Sequence, residues 1–291
     1  MTFNLPPQMP LPFHAASLYA AQALAASTGP WPGVKEYRDQ TFGAQSWESF
    51  DVFAPEDAGE GLDVLIFLHG GGWTNGYKEW SGFMAPGVTA QSCLFVTPNY
   101  RLAPAHRYPV FIADAVTAIV EIRARIAQYG GNPDRVFLSG HSAGGHLASQ
   151  IALRPDLCEK YGLEKDALKG CLPISAILDL RSDNAPAGSL EARVYEMVLQ
   201  DPSQDWEASP LAWLENLHMP MDFTWGAQDS ERVRESNEAA RAFLEGQHNE
   251  GQHNTVHFHT EDTNHFGTHL SLVDSCHRWY RGLETMRKET A

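Results

Sequence analysis

The chain has 291 residues, of which 43% are hydrophobic and 20% are charged, which is enough for one large domain or two small ones around a substantial core. Its 21 basic and 36 acidic residues give a formal charge of −15. That charge repels phosphate backbones and anionic lipids, so nucleic acids and membrane surfaces are disfavoured as partners.

The N-terminal segment is proline-rich and is expected to form an arm. Residues 1–33 contain six prolines and one Ala-rich run, 15–26, which we predict to be an amphipathic helix. This run is too short to cross a membrane. No Lys or Arg precedes Lys35, so the positive region of a signal peptide is missing. Four widely spaced cysteines without a C-x-x-C pair favour free thiols, and together these features predict a cytoplasmic protein.

Strands and helices alternate along the rest of the chain. Two runs of alternating polarity, 34–42 and 47–53, predict strands. Short apolar runs that predict buried strands follow at 64–68, 94–97, 136–138, 171–174 and 223–225. Helical periodicity appears at 112–126, 143–153, 233–244 and 273–283. The pattern predicts an α/β fold in which a mostly parallel sheet of about eight strands is flanked by helices.

One region breaks this alternation. Residues 181–217 contain three prolines and a short helical stretch, 190–199, and we interpret the region as a small cap inserted above the sheet. Residues 34–291 are therefore expected to form a single domain with this insertion, preceded by the arm at 1–33.

The strongest motif is Gly140-His141-Ser142-Ala143-Gly144, which follows a predicted strand and precedes a predicted helix. This is G-x-S-x-G in a strand–turn–helix setting, where the two glycines let strand and helix approach closely. The turn exposes the Ser142 hydroxyl and places the Ala143 N–H at a helix N-terminus. There it can face a developing negative charge.

A second glycine motif follows another buried strand. Residues 69–73 read H-G-G-G-W, and the backbone N–H groups of Gly71 and Gly72 can complete an oxyanion hole with that of Ala143. We expect His69 to brace this loop by hydrogen bonding rather than to act in catalysis.

A serine nucleophile needs a base, and the base needs an orienting acid. His265 lies in the loop after the strand-like run 255–259, and Asp229 lies after the run 223–225, so both reach the sheet edge at which Ser142 lies. Asp222 lies at the wrong end of its strand, Asp262 is only three residues from His265, and Asp179 is one strand earlier. The predicted triad has spacings of 87 and 36 residues.

The remaining C-terminal histidines have other expected roles. His253, His257 and His259 alternate along a strand and its approach, whereas His269 and His277 are assigned to the final helix or its start. Their spacing matches no recognised metal-ligand pattern, so no metal is expected.

Taken together, these motifs resemble the α/β-hydrolase superfamily. H-G-G-G-W, N-Y-R-L-A-P at 99–104, G-H-S-A-G-G-H and N-H-F at 264–266 are similar to the branch shared by kynurenine formamidase (arylformamidase) and the hormone-sensitive-lipase-like esterases. The lipase-like esterases usually have Asp before the nucleophile, where this chain has His141. The formamidases often have a basic residue after H-G-G-x-W, which Lys78 matches here. The motifs therefore leave both groups open.

The resemblance implies acyl transfer without a metal or organic cofactor, in which Ser142 attacks a carbonyl, His265 is the base and Asp229 orients it. Seven aromatic residues are candidates for the pocket wall, namely Trp73, Tyr77, Trp80, Phe83, Phe266, Trp206 and Trp213. They favour a small, flat or apolar substrate, such as an aryl formamide or a short-acyl ester. The net charge makes a strongly anionic substrate hard to reconcile with the chain. A ligand-binding protein without activity is the alternative. A homodimer is also compatible with the sequence, because an edge strand of the sheet can pair with the same strand of a second subunit.

Overall fold

The computed structural model describes residues 3–57, 59–248 and 255–291. Eight β-strands are found in this part of the chain: β1 Val34–Thr41, β2 Ser49–Pro55, β3 Leu62–Leu68, β4 Cys93–Pro98, β5 Gly131–His141, β6 Leu168–Ile174, β7 Met221–Gln228 and β8 Val256–Asn264. Each observed strand overlaps a strand predicted from sequence, although most are longer by a few residues.

The eight strands form one sheet in the order β1-β2-β4-β3-β5-β6-β7-β8. Strand β2 pairs antiparallel with both of its neighbours, and the pairs from β4 through β8 are parallel. The predicted α/β class with a mostly parallel sheet is therefore confirmed. Because parallel strands end at a common edge, the loops after β3, β5, β7 and β8 converge there.

Nine α-helices lie in the described ranges: α1 His14–Ala26, α2 Ala85–Thr89, α3 Val110–Arg125, α4 Ala143–Leu153, α5 Pro155–Glu159, α6 Leu190–Arg193, α7 Glu231–His248, α8 Gly267–Leu270 and α9 Arg278–Glu289. Side chains alternate along each central strand, so two apolar clusters form on the two faces of the sheet. In β3, Val64 and Ile66 belong to one cluster, whereas Leu65 and Phe67 belong to the other.

Helix α1 packs by one face. Ala16, Tyr19, Ala20 and Ala23 are buried at helical spacing. Tyr19, Ala20 and Ala23 belong to the cluster that includes Phe67. The helix contacts the 3₁₀ segment Lys78–Met84, which the sequence analysis did not identify. The N-terminal arm therefore covers part of the sheet.

The helix predicted at 190–199 is shorter than expected. Helix α6 ends at Arg193, a π-helical turn Val194–Val198 follows, and Leu199 then takes an extended conformation and bridges to Tyr108. The bond from the Tyr108 N–H to the Val198 carbonyl helps to end the turn. This tertiary pairing has no signal in local periodicity.

The start of the last helix also differs from the prediction. Val273 ends a 3₁₀ turn, Asp274 has an extended conformation, and α9 begins only at Arg278. The His277 ring caps the helix by accepting a hydrogen bond from the Trp279 N–H. His269 accordingly lies in α8 rather than in the last helix, and His277 precedes the last helix.

All four cysteines are unpaired; Cys93, Cys158 and Cys171 are buried, and Cys276 is exposed. Within the residues that the structure describes, no helix combines the length and the apolar character that crossing a membrane requires.

Candidate active site

The turn that carries Ser142 is sterically constrained. Ser142 joins β5 to α4 with φ +56° and ψ −118°, a left-handed conformation that is unfavourable for a non-glycine residue. A Cβ atom on Gly144 would lie 2.0 Å from the Leu68 carbonyl oxygen, and one on Gly140 would lie 2.4 Å from the Gly144 oxygen. Both positions therefore require glycine, as the motif predicted.

The structure brings the three predicted triad residues into one hydrogen-bonded chain. His265 Nε2 lies 2.8 Å from Ser142 Oγ, and His265 Nδ1 lies 2.7 Å from Asp229 Oδ1. Ser142 follows β5, Asp229 follows β7, and His265 follows β8. These distances allow His265 to accept the serine proton through Nε2 while Nδ1–H donates to the carboxylate.

The Asp229 carboxylate is buried and held ionised. Burial raises its pKa, but hydrogen bonds from His265 and Ser175, with the positive charge that His265 can carry, outweigh burial and bring the pKa below its ordinary value. Ser175 Oγ donates to Oδ2 at 2.6 Å, and the Ser230 N–H donates to Oδ1 at 3.0 Å. A carboxylate fixed in this way holds the His265 ring in one orientation.

The loop after β3 presents free backbone donors near the nucleophile. Gly71 and Gly72 have φ values of +121° and +63°, and both line the cavity that contains Ser142. Within the described ranges, neither N–H donates to a protein acceptor. Ala143 is the first residue of α4, so its N–H precedes the first intrahelical bond. These three donors are available to an oxyanion.

His69 braces this loop. Its Nδ1–H donates to the Gly70 carbonyl at 2.8 Å, and its ring stacks on Tyr100 at a centroid distance of 4.2 Å. Burial lowers the pKa of His69 to about 4. The ring is therefore neutral and tied to the backbone at neutral pH.

Several groups that support the site were not identified from the sequence. Ser175 directly follows β6 and connects Asp229 to Thr268, whose Oγ1 donates to the His265 carbonyl at 2.8 Å. His141 Nε2–H donates to the same carbonyl at 2.8 Å. The position of Ser175 at the end of a strand on the catalytic edge is the one sequence signal that could have identified it.

A cavity of about 230 Å³ opens onto Ser142 and has mostly apolar walls. Three of the seven predicted aromatic residues line it, namely Trp73, Trp80 and Phe266, whereas Phe83, Trp206 and Trp213 do not. Tyr77 does not, which corrects the prediction: its hydroxyl donates to the Pro6 carbonyl, so the ring faces the arm. The arm itself contributes Leu11, Pro12 and Phe13 to the cavity.

The other residues considered from sequence lie elsewhere. Asp262 accepts a hydrogen bond from Gln228, and Asp179 pairs with Arg181. His259 faces Asp222 at 3.5 Å. His253 lies outside the described residues. No cluster of potential metal ligands occurs in the part of the chain that the structure describes.

A family model described as "alpha/beta hydrolase fold" matches residues 65–250 of this chain. Kynurenine formamidase of Salmo salar is 32% identical over 139 residues, which cover 48% of this chain and 45% of that protein. Esterase LipC of Mycobacterium tuberculosis is 38% identical over 91 residues, which cover 31% of this chain and 23% of that protein. The matched region thus spans less than half of each of these relatives.

Solved structures extend the similarity to the whole fold. An esterase from the archaeon Pyrobaculum calidifontis superposes with a TM-score of 0.73 at 19% identity, over 97% of this chain and 93% of that one. The carboxylesterase EstE1, from a metagenomic library, gives a TM-score of 0.70 at 19% identity, over 97% and 100% of the two chains. At this identity the similarity shows the fold.

Proposed function

This chain belongs to the alpha/beta hydrolase fold family, and from that premise we propose that it is a serine hydrolase cleaving a small, aromatic formamide or carboxylic ester. The observation that carries the proposal is the hydrogen-bonded chain from Ser142 Oγ through both His265 nitrogens to Asp229. A ligand-binding protein without activity on this fold would not need a nucleophile, a base and an acid that are hydrogen-bonded to one another.

In the first half of the reaction, His265 Nε2 accepts the proton of Ser142 Oγ while that oxygen attacks the carbonyl carbon. The resulting oxyanion is stabilised by the N–H groups of Ala143 and of Gly71 or Gly72. Removing one such donor typically costs about 3–4 kcal/mol. Protonated His265 then donates its proton to the leaving amine or alcohol, and an acyl-enzyme remains.

In the second half, water takes the place of the leaving group. His265 accepts a proton from the water as it attacks the acyl carbon, and the collapse of the second tetrahedral intermediate returns the proton to Ser142. Asp229, whose pKa lies below its ordinary value, stays ionised and stabilises the imidazolium in both halves. No step requires a metal or an organic cofactor.

The size and the lining of the cavity favour a small aromatic substrate. A volume of about 230 Å³ lies at or below the small end of ligand pockets, which favours a substrate of one aromatic ring with a short acyl group. Trp73, Trp80 and Phe266 provide flat walls. The similarity to a kynurenine formamidase supports a formamide, and the similarity to carboxylesterases supports a short-acyl ester as the second candidate.

A comparison of kcat/KM on N-formylkynurenine with kcat/KM on matched phenyl esters separates the two substrates. Strong preference for the formamide identifies an arylformamidase, and negligible activity on it leaves the carboxylesterase. In either case Ser142→Ala is expected to abolish turnover. Asp229→Asn is expected to reduce kcat by about 10⁴-fold because it favours the wrong His265 tautomer. Asp262→Asn is the matched control and should remain active. Unchanged activity of Ser142→Ala on p-nitrophenyl acetate would contradict the proposal.

A further inference from the structure

Two arginines line the cavity that contains Ser142, although the chain as a whole is strongly acidic. Arg193 is the last residue of α6, and Arg232 is the second residue of α7. They come from different elements, one in the insertion and one following the loop of Asp229. Otherwise the walls of this cavity are mostly apolar or aromatic.

Neither guanidinium has all of its hydrogen-bond donors satisfied within the part of the chain that the structure describes. Arg193 and Arg232 each have a buried Nη2 without a hydrogen-bond acceptor. Among the described residues, neither forms an ion pair within 4.0 Å, and the Nε–H of Arg232 donates only to the Asp179 backbone carbonyl, at 2.9 Å. Buried donors that lack acceptors are costly, and native proteins generally satisfy them.

Arginines elsewhere in the chain show that this pattern is unusual. Arg154 also has one buried nitrogen without an acceptor, Nη1, but its Nε pairs with Asp156. Arg278 Nη2 makes no well-aligned hydrogen bond, but it lies 3.3 Å from Glu261 Oε1 in an ion pair. Arg101 forms two hydrogen bonds from its guanidinium to Asp114. The two cavity arginines are thus left with unused donors where a substrate would lie.

The charges around Arg232 do not remove its positive charge. Burial lowers the pKa of this group, and the carboxylates of Glu191, Asp179 and Asp205 act in the opposite direction. Arginine remains protonated under such conditions. Glu191 also lines the cavity but makes no ion pair with either arginine, so a ligand carboxylate would meet available donors.

We propose that Arg193 and Arg232 form a carboxylate-binding subsite, so that this enzyme prefers substrates whose leaving group carries a carboxylate. The inference rests on the proposed hydrolase function. A formyl group cannot carry a charge, so in a formamide the carboxylate must be on the amine side. Arg232 follows Asp229 by three residues, and Asp229 bonds the histidine that protonates the leaving group. The net charge of −15 led us to expect that anionic substrates are disfavoured. A bound substrate, however, interacts mainly with the charges that line the cavity.

The test uses two substrate pairs that differ only in charge: 2-formamidobenzoate against 2-formamidobenzamide, and 4-acetoxybenzoate against 4-acetoxybenzamide. In whichever pair the wild-type enzyme cleaves, kcat/KM should be roughly 10- to 100-fold higher for the carboxylate compound than for the amide. This ratio is the one expected for a charge-assisted hydrogen bond. Arg193→Gln and Arg232→Gln should each lower this preference about tenfold. Arg241→Gln is the matched control: it removes the same charge from α7 at a residue that stacks on Trp225, and should keep the preference.

Equal kcat/KM for both members of each pair in the wild type, or a preference that survives both substitutions, would overturn the subsite. If a variant does not fold, competitive inhibition of the wild type by benzoate and by benzamide decides, with benzoate expected to bind more tightly. A chain that cleaves none of the four compounds contradicts the hydrolase function instead. In that case calorimetric titration of Ser142→Ala with 4-acetoxybenzoate and 4-acetoxybenzamide still tests the subsite.

Discussion

The orientation of Asp229 depends on a hydroxyl group outside the recognised motifs. Ser175 has φ +45°, and its N–H donates to the Thr224 carbonyl, which aligns the turn after β6 with β7. Its Oγ then lies between Asp229 and Thr268. Ser175 does not line the cavity that contains Ser142 and acts through its bond to Asp229, so it is a positioning residue.

Ser175→Ala should therefore act on turnover rather than on binding. The substitution removes one hydrogen bond to a charged carboxylate, a contribution of about 1.5–3 kcal/mol, and leaves Asp229 freer to move. We expect kcat to fall at least tenfold while KM changes less than threefold, as measured by steady-state kinetics on a neutral phenyl ester. Ser149→Ala removes a buried hydroxyl bonded within α4 and is the control. A rise in KM with unchanged kcat would show that Ser175 does not position Asp229.

Helix α1 connects the N-terminal arm to the site through one side chain. Tyr19 stacks on Phe266 at 4.8 Å, and its hydroxyl lies 2.8 Å from His269 Nδ1 in a buried hydrogen bond. His269 in turn stacks on His141, the residue before the nucleophile. The arm thus contributes to the packing behind Ser142 as well as to the cavity wall.

We expect Tyr19→Phe to destabilise the protein by about 1–3 kcal/mol, because the ring remains packed while His269 Nδ1 loses its buried partner. Urea denaturation should show a lower midpoint with an unchanged slope. Leu18→Ala changes the adjacent, half-exposed residue and should stay within about 0.5 kcal/mol of the wild type. Equal stability of Tyr19→Phe and the wild type would mean that this bond contributes nothing net.

At the same scale, elements that bury continuous apolar runs were predictable, and elements fixed by tertiary contacts were not. The five short apolar runs all became central strands, and α4 has the predicted bounds, because G-x-S-x-G marks its start. The end of α6 and the start of α9 depend on the pairing of Leu199 with Tyr108 and on the His277 cap. Neither contact is visible in hydrophobic periodicity. The domain limits at residues 33 and 181–217 remain predictions.

For the whole molecule, topology explains why the triad could be predicted although its members are far apart in sequence. Parallel strands place the loops after β5, β7 and β8 at one edge, so the G-x-S-x-G motif and the loops after the later strands together pointed to Ser142, Asp229 and His265. The cavity wall could not be predicted in this way. Tyr77, like Trp73, comes after the glycine loop in the sequence. Its hydroxyl nevertheless donates to the Pro6 carbonyl in the N-terminal arm. Arg193 and Arg232 reach the cavity from α6 and α7, two elements that lie far apart in the sequence.

Four fully buried histidines make stability depend on pH. Burial lowers the pKa of His69 and His146 to about 4 and that of His141 to about 3, and it lowers the pKa of His269 well below 6.5. The unfolded chain takes up protons on these rings below pH 6.5, whereas the folded protein does not. The unfolded state therefore binds more protons, and the free energy of unfolding falls as the pH drops from 6.5 towards 4.

His146 offers the sharpest measurement of this effect, since its ring accepts from Trp73 Nε1 and donates to the Ala208 carbonyl. A pKa shift from 6.5 to about 4 corresponds to about 2 kcal/mol of stability lost between pH 7.5 and pH 5. His146→Gln should be less stable than the wild type at pH 7.5, and chemical denaturation should show that this difference shrinks by about 2 kcal/mol at pH 5. His14→Gln alters an exposed residue and should leave the pH dependence unchanged. The comparison between variants cancels the relief of charge repulsion that acidification brings to a chain of net charge −15. If the difference in unfolding free energy between His146→Gln and the wild type were the same at pH 7.5 and pH 5, His146 would take up its proton in the folded protein as readily as in the unfolded chain.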